Sequence, residues 1–305
     1  MRTVFCNGMM KIAGTQESLV FMTGDLGFMA LEPLRDMLGP RFINAGVAEQ
    51  NMVSMAAGLA KNGLRPWVYS IAPFIYARPF EQIRNDVCLH HLPVAIVGNG
   101  GGYGYGVMGA THHALEDYGV LLTLNGLRAY IPAFDEDLAI ILGQMSVAEH
   151  PSYLRLGLAE QPKEYVLPTY SAWRRLEKGN DWVVLAVGPI AGGLWRSIRE
   201  NHSVINPSLW LVSELPLDEL PLEFLSDLKD SPNLLVVEEH VAQGGVGQML
   251  ASQLVKAGIP LSRFETRTAL GYPSGRYGSQ RFHRRESEID AASITTFLTE
   301  HARRS

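Results

Sequence analysis

The chain has 305 residues, of which 47% are hydrophobic and 19% are charged, and its formal net charge is -5. The composition is that of an ordinary globular protein, and the chain is long enough for two domains. Its acidic net charge does not indicate a basic surface for nucleic-acid binding. No apolar run approaches the roughly 18 residues of a membrane span, and the first residues, MRTVFCNGMMKIAG, lack a signal peptide pattern. Cys6 and Cys88 form neither a disulfide framework nor a metal cluster, so we expect a cytoplasmic protein.

In chain order, the first half alternates short apolar runs with helical patterns. The runs that predict buried strands, each ended by turn residues, are 19–24, 66–71, 93–99 and 152–157. Helices are expected at 47–62 and 74–91, and Asp135 could cap a third helix that runs to residue 150. Alternation of this kind predicts a parallel sheet covered by helices.

The second half repeats this pattern after a polar segment without clear periodicity. Strands are predicted at 182–188, 209–213 and 234–240, and helices at 244–258 and 287–304. We therefore predict an α/β fold of two domains, each a mostly parallel sheet covered by helices. The domains are expected at 1–160 and 181–305, with a linker at 161–180.

The sequence GNGGGYGYGVMG, at 98–109, is the most conspicuous glycine cluster. Gly104, Gly106 and Gly109 match G-x-G-x-x-G. A dinucleotide site would need a helix opening at these glycines and an acidic residue about 20 positions later, where this chain has Ala129. The nucleotide signal is therefore weak. The alternatives are a loop with little side-chain bulk, or a place where backbone approaches a ligand closely.

His112 and His113 end that loop. Adjacent histidines point in different directions and no further ligand stands at a recognised spacing, so the pattern does not favour a metal site. Histidines at the carboxyl end of a strand suit substrate contact or proton transfer, and the alternative is surface histidines without a role. Arg155 lies inside an apolar strand. It is either an edge residue that reaches solvent or a residue whose planar guanidinium binds a phosphate or carboxylate.

Glu49 stands near the start of a predicted helix within FINAGVAEQNMVSMAAGLA, at 42–60, which contains no Lys or Arg. A carboxylate there could simply interact with the helix dipole. The small and apolar residues around it instead predict burial, which is costly unless the protein or a ligand supplies a partner. A buried carboxylate can share a proton with a heterocyclic nitrogen.

Several segments, in order and spacing, resemble the pyrimidine-binding domain of transketolases. They are GDL (24–26), the Glu49 segment (42–60), VYSIAPFIYARPFEQIRNDV (68–87), GATHH (109–113) and SYLRLG (152–157). The second half is similar to the transketolase C-terminal domain, most visibly in VVEEHVAQGGVGQMLASQL (236–254). The resemblance implies a pyrimidine-binding domain with the thiamine-diphosphate-binding fold, followed by a transketolase C-terminal-like domain.

The resemblance implies thiamine diphosphate as the cofactor. Glu49 would hydrogen-bond a ring nitrogen of its aminopyrimidine and so help to activate the thiazolium carbon. Phe74, or Tyr76, would stack on the aminopyrimidine, and Asp25 matches an acidic residue near the cofactor. Because the alignment around Pro73 is uncertain by a residue or two, the choice between the two rings stays open.

The resemblance also implies a sugar-phosphate site. His112 would contact the donor sugar as a catalytic residue with His113 beside it, Arg155 would bind the phosphate, and Gly102 belongs to the loop that lines the pocket. Met108 stands where transketolases usually have an aspartate that contacts a sugar hydroxyl, so the usual stereochemical preference is in doubt.

The domain that binds the diphosphate through Mg²⁺ has no counterpart in this sequence, since TGDLG (23–27) is not its G-D-G…N motif. The resemblance therefore implies a separate N-terminal, diphosphate-binding subunit that supplies the Mg²⁺ ligands, in a 2:2 heterotetramer. The expected function is two-carbon ketol transfer between sugar phosphates. Alternatives are the beta subunit of a 2-oxo acid dehydrogenase, a 1-deoxyxylulose-5-phosphate synthase-like carboligase, and a regulatory subunit that kept only the fold.

Overall fold

The computed structural model describes residues 1–27, 30–162 and 164–302, and it contains two sheets. The strands are β1 (Leu19–Thr23), β2 (Phe42–Asn44), β3 (Arg65–Ile71), β4 (Ala95–Asn99), β5 (Arg128–Tyr130), β6 (Ser152–Leu156), β7 (Trp173–Glu177), β8 (Val183–Val187), β9 (Ser208–Val212), β10 (Glu214–Leu215), β11 (Asn233–Val237) and β12 (Arg263–Arg267). The helices are α1 (Arg2–Ala13), α2 (Glu32–Leu38), α3 (Glu49–Lys61), α4 (Ala72–Ala77), α5 (Phe80–Gln82), α6 (Asp117–Leu121), α7 (Asp137–Val147), α8 (Ile190–Glu200), α9 (Leu222–Asp230), α10 (Val246–Lys256), α11 (Gln280–Glu286) and α12 (Ala291–Ala302). A π-helix, Ile83–Cys88, follows α5 directly.

The first sheet has the strand order β10-β5-β6-β4-β3-β1-β2, and only β10 runs antiparallel to its neighbour. Side chains alternate between its two faces. In β1, Leu19 and Phe21 pack toward α1, α2 and α7, whereas Val20 and Met22 pack toward α3 and α4. Because both faces are covered, these strands are continuous apolar runs in the sequence.

The second sheet has the order β12-β11-β8-β9-β7, with β7 antiparallel to β9. Helices α8 and α12 cover one face, and α9 and α10 cover the other. The predicted fold class, two mostly parallel sheets flanked by helices, is confirmed. Among the described helices, none has the length and apolarity needed to cross a membrane.

The segment expected to be a linker differs from the prediction in one respect. Residues 161–172 have no regular structure, with Lys163 outside the described residues, but 173–177 form β7. This strand pairs with β9, more than 30 residues later, so its partner is not visible in the local pattern. The last predicted helix is present as α12, and its expected residues 303 and 304 lie outside the described residues.

Asp135 was expected to cap the helix that precedes β6, and this expectation is wrong. Helix α7 begins at Asp137, and the residue before it, Glu136, makes no capping hydrogen bond. The Asp137 carboxylate accepts hydrogen bonds from the backbone N–H groups of Ala133 and Phe134, both at 3.0 Å. It also pairs with Arg174 at 2.7 Å, which joins α7 to the second sheet.

The two domains meet at the carboxyl ends of their strands. In the second sheet the strand order changes side at β8, with β9 on one side and β11 on the other, and all three strands are parallel. Such a switch point is where open α/β sheets usually bind ligands. Here Arg155 and Gly101 of the first domain fill it and leave a space of about 20 Å³. This is room for about one water molecule, so packing of the first domain against the second leaves no space for a larger ligand at this edge.

Candidate active site

The residues singled out in the sequence gather at the carboxyl edge of the first sheet. Asp25 follows β1, Glu49 follows β2, Ser70 lies near the end of β3, and Phe74 lies in α4 directly after β3. Because parallel strands end at one edge, residues far apart in sequence come together there.

Glu49 is the first residue of α3 and is only 3% exposed. The hydroxyl of Ser70 donates a hydrogen bond to its Oε1 at 3.2 Å, and Nη1 of Arg78 donates to its Oε2 at 2.9 Å. The protein thus supplies the partners that a buried carboxylate requires. Sequence reasoning did not identify Ser70 or Arg78, because only tertiary packing brings them to Glu49.

Phe74 lies in α4 and Arg78 directly follows that helix with helical backbone angles, and their spacing of four residues places both side chains on one face. The guanidinium carbon of Arg78 lies 3.8 Å from the centre of the Phe74 ring. The ring of His112 meets Phe74 edge-on, with 5.2 Å between ring centres, and its Nδ1 is 2.8 Å from the Thr111 hydroxyl. Glu49, Arg78, Phe74 and His112 therefore form one continuous cluster.

Tyr76, the alternative stacking ring, points away from this cluster. It is buried among apolar side chains, and its hydroxyl donates to Oε2 of Glu116 at 3.0 Å. Burial, followed by the nearby negative charge of Glu116, raises the pKa of the phenol. Phe74, which is half-buried, is thus the ring that lies beside the partner of Glu49.

Asp25 is exposed and has the left-handed backbone φ of 57°, which is uncommon for a residue with a side chain. Asn44 holds it there, because the Asp25 N–H donates to Oδ1 of Asn44 and Nδ2 of Asn44 donates back to the carboxylate, both at 3.0 Å. A Cβ atom at the preceding Gly24 would lie 3.6 Å from Oε1 of Glu49. Asp25 therefore flanks the Glu49 cluster on the β1 side.

The glycine-rich loop packs against the second domain. Gly102 has a φ of +62°, and a side chain there would collide with the carboxylate of Glu239. Side chains at Gly106 and Gly109 would likewise press on residues 277–280. No α-helix opens at these glycines, which argues against the nucleotide interpretation. Close approach of another backbone explains them, and the predicted contact of Gly102 with substrate stays a prediction.

His113 lies 4% exposed between the two domains. Its Nε2 is 2.8 Å from the carbonyl oxygen of Gly106, its Nδ1 is 2.8 Å from the hydroxyl of Tyr272, and its ring contacts His283. Burial lowers the pKa of His113. These contacts join the two domains, and the contact of His113 with substrate stays a prediction.

Arg155 is 6% exposed on β6, an inner strand, so the interpretation of a solvent-facing edge residue is wrong. Its Nε pairs with Asp117 at 3.1 Å, and its Nη2 donates to the backbone oxygens of Ala114 and Glu239 at 2.9 and 2.7 Å. The pKa of Arg155 is raised by the charge of Asp117 despite burial. The guanidinium of Arg155 is thus hydrogen-bonded within the protein, and its contact with a substrate phosphate stays a prediction.

The described residues were expected to offer no metal site of their own, and their possible metal ligands are scattered. Within residues 1–27, 30–162 and 164–302, no group of three or more His, Cys, Asp or Glu side chains is placed to hold a metal ion.

Comparison with known proteins identifies the family. Residues 1–160 match the family described as transketolase, pyrimidine binding domain. The chain is 28% identical over 271 residues to one of the subunits of apulose-4-phosphate transketolase from Phocaeicola vulgatus, covering 85% of both chains. It is 32% identical to 1-deoxy-D-xylulose-5-phosphate synthase of Magnetococcus marinus, covering 85% of this chain and 42% of that protein.

Solved structures agree on the fold. A structure described as split gene transketolase, inactive beta4 tetramer, superimposes with a TM-score of 0.82 at 22% identity and covers 99% of this chain and 98% of that one. Transketolase from Leishmania mexicana gives a TM-score of 0.75 at 15% identity, over 99% of this chain and 45% of that one. The chain therefore belongs to the transketolase family, whose pyrimidine-binding domain it carries in residues 1–160.

Proposed function

We propose that this chain is the pyrimidine-side subunit of a two-subunit, thiamine-diphosphate-dependent transketolase that moves a two-carbon ketol unit between sugar phosphates. The observation that carries the proposal is the buried Glu49 carboxylate at the carboxyl edge of the sheet, where Arg78 contacts both it and the half-buried ring of Phe74. The family implies the cofactor, and the names of two of the relatives contain phosphorylated sugars.

The residues present fit the aminopyrimidine half of thiamine diphosphate. That ring needs an aromatic face to stack on and a carboxylate that can share a proton with a ring nitrogen. Phe74 and Glu49 offer these two features, and a single flat N–H-bearing group, the Arg78 guanidinium, contacts both. The cofactor, when bound, supplies the carbon nucleophile and the electron sink. Glu49 would hold the proton at the ring nitrogen, Phe74 would fix the ring plane, Asp25 would flank the cofactor and His112 would contact the sugar from the rim.

The diphosphate and Mg²⁺ would be held by a second polypeptide, because the described residues offer no cluster of metal ligands. We infer a 2:2 heterotetramer with two sites, each combining Glu49 with the partner's Mg²⁺ ligands. The structural neighbour supports this, since that split-gene protein is described as inactive when it is a beta4 tetramer. The buried, unpaired Cys6 and Cys88 support the proposed cytoplasmic setting.

A second candidate is a carboligase that condenses pyruvate with a sugar phosphate. The similarity to 1-deoxy-D-xylulose-5-phosphate synthases, at 32% identity in one case, favours it. The two functions differ in the donor, which is a ketose phosphate in one and pyruvate in the other.

The test is reconstitution with the diphosphate-binding subunit. Calorimetry with thiamine diphosphate and Mg²⁺ is compared for each polypeptide and for the mixture, and ketose phosphates and pyruvate are then screened as donors. We expect tight binding and ketol transfer only in the mixture, with turnover reduced at least ~100-fold by Glu49→Gln. Ketol transfer by this chain alone, or full turnover in the Gln variant, would refute the proposal, and turnover with pyruvate alone would favour the carboligase.

A further inference from the structure

Arg78 holds an unusual position between two side chains from different elements. Its guanidinium carbon is 3.8 Å from the centre of the Phe74 ring, and its Nη1 donates to Oε2 of Glu49 at 2.9 Å. The Arg78 side chain is nonetheless 43% exposed, whereas that of Glu49 is 3% exposed. One part of this arginine therefore reaches a buried carboxylate, while much of the side chain remains in solvent.

These two contacts are the ones that an aminopyrimidine ring needs at this site. A guanidinium is flat, carries N–H donors in its plane and stacks on aromatic faces, as a protonated or amino-substituted heterocycle does. The distance of 3.8 Å is already van der Waals contact between stacked groups, so no second ring fits between Arg78 and this face of Phe74. Arg78 and a ring bound on this face exclude each other.

We propose that Arg78 is a placeholder: it occupies the position of the pyrimidine ring in the free chain and is displaced when the cofactor binds. This inference rests on the proposed function, since it takes the ligand to be an aminopyrimidine. The placeholder pairs the Glu49 charge while the site is free, which avoids the cost of an unpaired buried carboxylate. Glu49 then exchanges that hydrogen bond for one to the incoming ring.

Arg78 is free to leave because little else holds it. Among the described residues, Glu49 is the only hydrogen-bond partner of its guanidinium, and the exposed stem can swing into solvent. Arg155 is the contrast, because three hydrogen-bond or ion-pair contacts bury its guanidinium between the domains. A displaceable arginine and a fixed one thus stand at the same edge of the sheet.

The test measures binding of the pyrimidine half alone, so that it does not depend on turnover. The probe is 4-amino-5-hydroxymethyl-2-methylpyrimidine, titrated into the full chain at millimolar concentrations by ligand-observed NMR. Because the placeholder competes with the ring, we expect Arg78→Met to bind the probe about tenfold more tightly than the wild type, a change worth ~1.4 kcal/mol. Arg78→Lys keeps the charge without the flat stacking group, so it should lie between the two. The matched control is Arg84→Met, since the Arg84 side chain is exposed and, among the residues that the structure describes, bonds only to Asn85.

A second measurement checks the pair in the free chain. In urea unfolding, Arg78→Met and Glu49→Gln should be less destabilising together than the sum of their separate effects, because the single Arg78 variant leaves the buried charge unpaired. Additive effects would overturn the pairing. Weaker, unchanged or undetectable probe binding by Arg78→Met would overturn the displacement.

Failure of the proposed function would look different from failure of the placeholder. In the first case the wild-type complex with the diphosphate-binding subunit would neither bind thiamine diphosphate nor transfer a ketol unit, whichever residue stands at position 78. In the second, the wild-type complex would bind and turn over, while Arg78→Met would show no gain in affinity for the probe.

Discussion

Substitution of Arg155 by methionine distinguishes a structural role of this side chain from a role in binding substrate phosphate. Methionine keeps most of the aliphatic bulk and removes the guanidinium. Among the described residues, this leaves the carboxylate of Asp117, which is 0% exposed, with the Tyr153 hydroxyl at 2.7 Å as its remaining side-chain donor. The backbone oxygens of Ala114 and Glu239 lose their Arg155 donors as well.

Breaking a buried ion pair by removing one partner costs about 3–5 kcal/mol. We therefore expect the free energy of unfolding of Arg155→Met to fall by roughly this amount, as measured by urea titration followed by circular dichroism. Asp117→Asn in the same chain removes the unpaired charge and should restore part of the loss. The double variant is the matched control, because its volume is nearly that of the single variant.

The same variant tests the phosphate contact predicted from the sequence. A role in binding phosphate predicts a loss of about 2–5 kcal/mol in transition-state binding for phosphorylated substrates and much less for unphosphorylated analogues. The geometry instead predicts equal losses for both kinds of substrate together with lower stability. Wild-type stability of Arg155→Met would refute the structural argument.

Two further predictions concern the interface between the domains. Gly102→Ala should lower the free energy of unfolding by about 1–3 kcal/mol, because the methyl group meets the Glu239 carboxylate at a positive φ; Gly271→Ala, at φ +72° with open space, is the control for φ alone. Burial lowers the pKa of His113 and of His283. The unfolded chain therefore binds more protons than the folded one below about pH 6.5, so the melting temperature should fall as pH drops from about 7.5 to 5.5. His113→Gln should flatten that slope, and an unchanged slope would show that the His113 ring does not titrate in this range.

Much of the fold follows from the sequence because each inner strand is covered on both faces. β1, β4, β8 and β11 are continuous apolar runs, and they were placed within a few residues of their observed ends. β7 and β10 were not predicted, because a short or antiparallel edge strand is recognised by its partner and both partners are distant in sequence. Local patterns do not contain that information.

The candidate site could likewise be predicted only where local sequence determines it. The burial of Glu49 at a helix start could be inferred from the small and apolar residues around it, as could its need for a partner. The identity of that partner, Arg78, could not be inferred, because an ion pair between two elements depends on how they pack. The same limit applies to Tyr76 and Arg155, whose residue types suit a binding site but whose side chains turn into the protein.

The short strand β10 has a consequence for how the chain can be divided. Glu214 and Leu215 come from the second half of the sequence, yet they pair with Tyr130 and Ala129 at the edge of the first sheet. A protease cut in the irregular connection 161–172 would therefore leave two fragments that stay associated as one particle. A fragment ending at residue 160, although it contains all the residues that match the family, would expose the edge of β5 and would be prone to aggregate.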